Sequence, residues 1–93
     1  MADKILFVED DPSQATLVSL ELKRRGFTVT AAKSAAEAFA KLSQDSYDLV
    51  LTDLKLGDRD GLAVLSAAKR EQPDAEVVVI TGHGSITAAV AAI

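Results

Sequence analysis

The chain has no cysteine. That removes disulfides, thiolate metal sites and thiol catalysis, and it suits a reducing compartment. Two prolines and five glycines among 93 residues are too few for a low-complexity or disordered chain. No apolar run approaches the roughly 20 residues that a membrane span requires, so no membrane partner is expected. The opening Met1-Ala2-Asp3-Lys4 runs straight into an apolar segment and leaves no room for a signal peptide, so the cytoplasm is the expected location. Positive charge is also in deficit. A net charge of −4 disfavours direct binding of this segment to nucleic acid or to anionic membranes.

What is present is a globular composition, 48% apolar and 26% charged. The length fits one domain over residues 1–93, which buries roughly 60–65% of its unfolded surface and has a modest core. Short apolar runs alternate with helix-period segments. Ile5–Val8 reads as a first strand, followed by a helix with Asp11 as N-cap and Pro12 at its first position. Ala15, Val18 and Leu22, joined by Leu17, form that helix's apolar face, and Gly26 supplies the stop after Lys23-Arg24-Arg25. Phe27–Thr30 is a short second strand. Ser34-Ala35-Ala36-Glu37 is a capping box opening a second helix. Leu49–Thr52 is the third strand, Asp60-Gly61 precedes a third helix carrying Leu62, Leu65 and Ala68, and Val77–Thr81 is the fourth strand. Ser85 is expected to cap a last helix with Ile86, Ala89, Val90 and Ile93. This alternation predicts an α/β fold, a doubly wound parallel sheet with helices on both faces.

Three strand ends carry chemistry. The first runs into Glu9-Asp10-Asp11, the third ends at Asp53, and the fourth ends in Thr81-Gly82. In an open parallel sheet such ends face one crevice, where ligands bind. Carboxylates within about 5 Å of one another repel by roughly 3 kcal/mol per pair at an effective dielectric near 20. A hard divalent cation relieves that repulsion, and Mg²⁺ takes carboxylate, carbonyl and phosphate oxygens. Asp10 and Asp53 read as direct ligands, Glu9 as a ligand through water, and the carbonyl of Lys55 as a backbone ligand. A carboxylate can also attack phosphorus and hold the group as an acyl phosphate. Thr81 and the N–H of Gly82 are then candidate contacts to phosphoryl oxygens. His83, the only histidine, reads as a solvated loop residue, since Mg²⁺ has little use for imidazole.

These segments carry a resemblance. Ile5-Leu6-Phe7-Val8-Glu9-Asp10-Asp11 resembles the opening of response-regulator receiver domains of two-component signalling. Tyr47-Asp48-Leu49-Val50-Leu51-Thr52-Asp53, with Gly61 eight residues on, resembles their phosphoacceptor segment, and Val79-Ile80-Thr81-Gly82 their switch segment. The likeness implies a flavodoxin-like fold with strand order 2-1-3-4 and a fifth strand that this chain lacks. It implies that Asp53 accepts phosphate from the phosphohistidine of a sensor histidine kinase, that Glu9 and Asp10 organise Mg²⁺, and that Thr81 moves its hydroxyl onto the phosphoryl group. A surface around the fourth helix would then switch and control an output domain. Thr81-Gly82-His83-Gly84-Ser85-Ile86 is similar to receivers of alternative-sigma-factor-dependent transcriptional activators, which implies a DNA-binding output domain outside this chain.

Two departures from the pattern stand out. The family's lysine at the end of a fifth strand has no counterpart among Lys4, Lys23, Lys33, Lys41, Lys55 or Lys69, so weak phosphorylation or switching is expected. Gly57 stands where the family often has proline, which loosens the loop without removing a ligand. The helical pattern also runs to Ile93 without a cap, so the domain reads as incomplete at its C-terminus. It is either a piece of a longer chain or one completed by homodimerisation or strand exchange at the open edge of the fourth strand. Two other functions compete. One is a receiver-like interaction module working without phosphate. The other is an aspartyl-phosphate phosphatase, disfavoured because Lys55 stands where such enzymes place an acid two residues after the nucleophile. The receiver reading predicts phosphotransfer onto the protein's own Asp53 and no enzymatic turnover.

Overall fold

The computed structural model describes residues 3–81 and 87–91, the latter and Thr81 by their backbone alone. Its elements are β1 (Lys4–Val8), α1 (Pro12–Arg24), β2 (Thr28–Ala32), α2 (Ala35–Gln44), β3 (Leu49–Asp53), α3 (Gly61–Glu71), β4 (Glu76–Thr81) and β5 (Thr87–Ala91). The sheet order is β2-β1-β3-β4-β5. The first four strands are parallel in the expected order 2-1-3-4, with Ile5 opposite Leu49 and Asp53 opposite Ile80.

Local chemistry sets most of the boundaries. Asp11 caps α1 by accepting from the N–H of Ser13 at 2.9 Å and of Gln14 at 3.4 Å, and Pro12 occupies the first turn. At the other end Gly26 has φ of +97°. Its N–H donates to Lys23 O at 3.0 Å, and that of Phe27 to Leu22 O at 3.2 Å, the two bonds of a Schellman stop. Phe27 therefore closes the helix, and β2 begins one residue later than the apolar pattern predicts. Ser34 caps α2, its Oγ accepting from Glu37 N at 3.1 Å. The Glu37 carboxylate reaches back past the cap to the N–H of Lys33 at 3.2 Å.

Alternation along the strands divides the core between two faces. Leu6, Val8, Val50, Val77 and Val79 pack against Ala35, Ala38 and Leu42 of α2 and Val64, Ala67 and Ala68 of α3. Burying a side chain of the Val or Leu type is worth about 1.5–3 kcal/mol, so this layer dominates stability. Ile5 and Phe7, also buried, face the side that carries α1. α1 itself has no fully buried residue, and Leu17, expected on its apolar face, is 65% exposed. On α3 the buried stripe is Gly61, Val64, Ala67 and Ala68, whereas Leu62, expected in it, is 51% exposed.

The expected fourth helix is corrected. Thr87–Ala91 forms β5, antiparallel to β4, with Thr81 opposite Thr87 and Val77 opposite Ala91. This is not the parallel fifth strand that the resemblance implies. The physical reason lies in β4, whose outer edge presents a row of unpaired backbone groups. Thr-Ala-Ala-Val-Ala is rich in alanine and does not itself favour a strand, but a helix of that length is marginal without tertiary support. Pairing supplies the backbone partners instead. Ser85, Ile86 and Ile93, which belonged to the same expectation, lie outside the described residues.

Candidate metal and phosphoryl site

The carboxyl ends of β1 and β3 lie side by side because Val8 pairs with Thr52. Pairing persists one step past each strand: Glu9 N donates to Ala32 O at 3.0 Å, and Leu54 N to Ile80 O at 2.8 Å. The backbone thereby delivers Glu9, Asp10 and Asp53 to one rim. One carboxylate oxygen from each lies within 4.8 Å of the other two. Glu9 and Asp53 are half-buried and Asp10 is exposed. The three open into a cavity of about 620 Å³ that Asp11, Lys55, Phe7, Val18 and Ile80 help to line.

Burial, and then the negative charges of Asp53 and Asp10, push the Glu9 carboxyl above its ordinary range. The N–H of Asp11, donating to Glu9 Oε2 at 3.2 Å, works against that rise. An all-oxygen set of crowded carboxylates fits a hard divalent cation, which replaces mutual repulsion with attraction. The Thr52 hydroxyl is buried and donates to Asp53 O at 3.0 Å, fixing the backbone under the central acid.

Of the residues singled out from sequence, Glu9, Asp10 and Asp53 are brought together, and Lys55 lines the same cavity. Thr81 ends β4, one residue beyond the partner of Asp53, so its backbone reaches the same rim. Gly82 and His83 lie outside the described residues. Gly61 has a sharper role than its place in the motif suggested. A Cβ there would overlap the carbonyl oxygen of Asp53 and come within 3.1 Å of Leu54 Cα. Gly61 N also donates to Leu54 O at 2.6 Å, so α3 starts hard against the backbone of the site. Sequence reasoning missed Asp58, which accepts from two amides of α2. No local signal marks it, because its partners lie 23 and 22 residues away.

A doubly wound α/β domain with an acid-lined crevice at its strand ends is the class that fold and site define. The family model for the response regulator receiver domain matches residues 5–93. The chain belongs to that family. It is 39% identical over 88 residues to the transcriptional regulatory protein GlrR of Escherichia coli strain K12, covering 95% of this chain and 20% of GlrR. The chain thus spans about a fifth of the length of that relative. Among solved structures it is similar to the response regulator TrrA of Thermotoga maritima in complex with Mg²⁺ and BeF. There the TM-score is 0.81 and the identity 29%, over 88% of this chain and 71% of TrrA. It is also similar to a Burkholderia pseudomallei response regulator with a phosphorylated aspartic acid and a calcium ion. That match has a TM-score of 0.82 and 31% identity, covering 90% of this chain and 49% of the other. No helix among the described residues is long and apolar enough to cross a membrane.

Proposed function

We propose that this receiver domain takes a phosphoryl group on Asp53 from the phosphohistidine of a sensor histidine kinase. The observation that carries the reading is the meeting of the Glu9, Asp10 and Asp53 carboxylates at one rim. An Asp53 oxygen forms the bond to phosphorus as the P–N bond to imidazole breaks, and the leaving imidazole recovers a proton from solvent. Asp10 and Asp53, with Glu9 and the Lys55 carbonyl, would hold Mg²⁺. The bound ion would neutralise charge on the transferring group. The protein's own part is positioning: the β1 and β3 ends fix the carboxylates, and Thr52 and Gly61 fix the Asp53 backbone. Thr81 and Gly82 would contact the phosphoryl oxygens. The phosphorylated aspartate and the Mg²⁺–BeF complex of the two similar structures support this chemistry.

As a signalling domain the chain would be labelled once and would not turn over. The switch would pass from Thr81 into the segment after it, and so to an output domain outside residues 1–93. The name of GlrR supports a transcriptional output, and a kinase-fed receiver belongs in the cytoplasm. The test is intact-protein mass spectrometry after incubation with Mg²⁺ and a phosphorylated kinase. One phosphoryl group should be added, and Asp53→Asn should abolish it. Labelling that survives Asp53→Asn, or steady release of phosphate from phosphomonoesters, would overturn the reading.

A further inference from the structure

Between β3 and α3 the chain passes beside the acidic cavity through residues 54–60. Its stems are held by the bonds from Leu54 N to Ile80 O and from Gly61 N to Leu54 O, and Leu56 N donates to Arg59 O at 3.1 Å within the loop. The tip is held by something else. Asp58 Oδ1 accepts from Ala35 N and Oδ2 from Ala36 N, both at 3.0 Å. These amides belong to the first turn of α2, where N–H groups have no partner inside the helix and the dipole favours an anion. Ser34 already caps that helix locally through Glu37 N. Asp58 takes the two first-turn amides that Ser34 leaves, so the same bonds serve both the helix and the loop. The Arg59 guanidinium lies 5.8 Å from the centroid of the Phe39 ring, on the same helix, and reinforces the attachment. The two amides also hold the Asp58 carboxyl below its ordinary range.

One residue before Asp58, Gly57 lies against the site: a Cβ there would stand 3.7 Å from Asp10 Oδ2. Lys55, two residues further back, lines the cavity. A tip anchored on α2 thus fixes the backbone that borders the acids. We propose that Asp58 is a positioning residue. By bridging the Ala35 and Ala36 amides it clamps the β3–α3 loop to α2, keeping Gly57 beside Asp10 and Lys55 along the cavity wall in the arrangement that binds a divalent cation. The inference rests on the proposed Mg²⁺ site.

The experiment compares Asp58→Ala, Asp58→Asn and Ser34→Ala in the 93-residue protein. Mg²⁺ affinity is read by calorimetric titration, and amide hydrogen exchange is read without metal. Asp58→Ala should weaken Mg²⁺ binding about tenfold, the low end for residues that orient metal ligands. Asp58→Asn, whose amide oxygen still accepts, should recover part of the loss. Ser34→Ala should lower the unfolding midpoint and leave Mg²⁺ affinity unchanged. Exchange at Leu56 N–H should quicken in Asp58→Ala alone. Wild-type affinity in Asp58→Ala, equal weakening in Ser34→Ala, or unchanged Leu56 exchange would each overturn the clamp. A wild-type protein that binds no Mg²⁺, with Leu56 exchange still quickened by Asp58→Ala, would sink the metal reading and leave the clamp standing.

Discussion

At the amino-terminal rim of the sheet, Lys4 N donates to Asp48 Oδ2 at 2.7 Å, and the Lys4 ammonium pairs with Asp45 and lies 5.6 Å from the Tyr47 ring centroid. Gln72, just past α3, laces the same end together. Its Oε1 accepts from Tyr47 N at 2.8 Å, and its Nε2 donates to Leu42 O at 2.9 Å and Asp45 O at 2.6 Å. At the carboxyl rim Glu9, Asp10 and Asp53 face one another with like charge. One rim completes its bonding from within the chain; the other concentrates unmet charge around a cavity. The charges that the chain leaves facing one another are thereby gathered at one end of the strands, and the paired ones at the other. The separation is asymmetric, because α3 reaches both rims, with Gly61 at one and the residue after its last turn at the other.

The largest effect should come from the point where α3 meets the acidic rim. In Gly61→Ala the new Cβ would overlap the Asp53 carbonyl, and both close neighbours are backbone that cannot rotate away. A loss of about 3 kcal/mol is expected, at the top of the overpacking range. Chemical denaturation measures it, and an unchanged midpoint would show that the start of α3 is not packed as described. Next is the response to metal. On the proposed site, Mg²⁺ at a hundredfold excess over its dissociation constant should stabilise the fold by about 2.7 kcal/mol. Asp53→Asn should raise the midpoint in metal-free buffer by relieving repulsion and should blunt the Mg²⁺ response. If neither shift appears in thermal melts, the crowding at this rim has no energetic consequence.

Gln72→Ala should cost somewhat less, about 2 kcal/mol, since it strands the amide of buried Tyr47 and the Leu42 carbonyl. Its Mg²⁺ response should match the wild type, which sharpens the contrast between rims. Parallel titrations of the two variants would break that contrast if Gln72→Ala altered metal affinity.

Much of this arrangement is legible in the residues themselves. Asp11-Pro12, Gly26, Ser34 with Glu37, and Asp60 each act within about one helical turn, so their chemistry can be read locally. The acidic rim is legible because each carboxylate closes an apolar run, and sheet topology then brings run ends together. Residues whose partners lie far along the chain are not legible. Asp58 meets α2 across 23 positions, and Gln72 meets Tyr47 across 25. The helix expected after Thr81 failed for a related reason. Its Ala and Val residues fit either period, and the open edge of β4, a tertiary fact, decided between them. Leu17 and Leu62 follow helical spacing yet stay exposed, because spacing marks a face without showing what covers it.

The smallest expected effect separates Glu9 of the acidic rim from Asp45 of the other by the sign of their pH dependence. Glu9, raised above its ordinary value of 4.5 mainly by burial, keeps its proton in the folded state at a pH where the unfolded chain has begun to lose it. The folded state then binds more protons, so stability without metal should fall as pH rises from about the ordinary Glu value through the higher folded one. Below that window the penalty is absent; above it the penalty is complete. Asp45 behaves oppositely. Its hydrogen bond from Lys4, then that from Ser46 N, lowers its pKa from 3.8. Its contribution is therefore present above the unfolded value and is lost as pH falls through the folded one. Denaturation midpoints measured across this acid range should show both limbs. Glu9→Gln should flatten only the upper limb, and Lys4→Met should shrink the lower one to the part that Asp58, lowered by the Ala35 and Ala36 amides, contributes with the same sign. An upper limb that survives Glu9→Gln would place Glu9 outside the electrostatics of the cavity it lines.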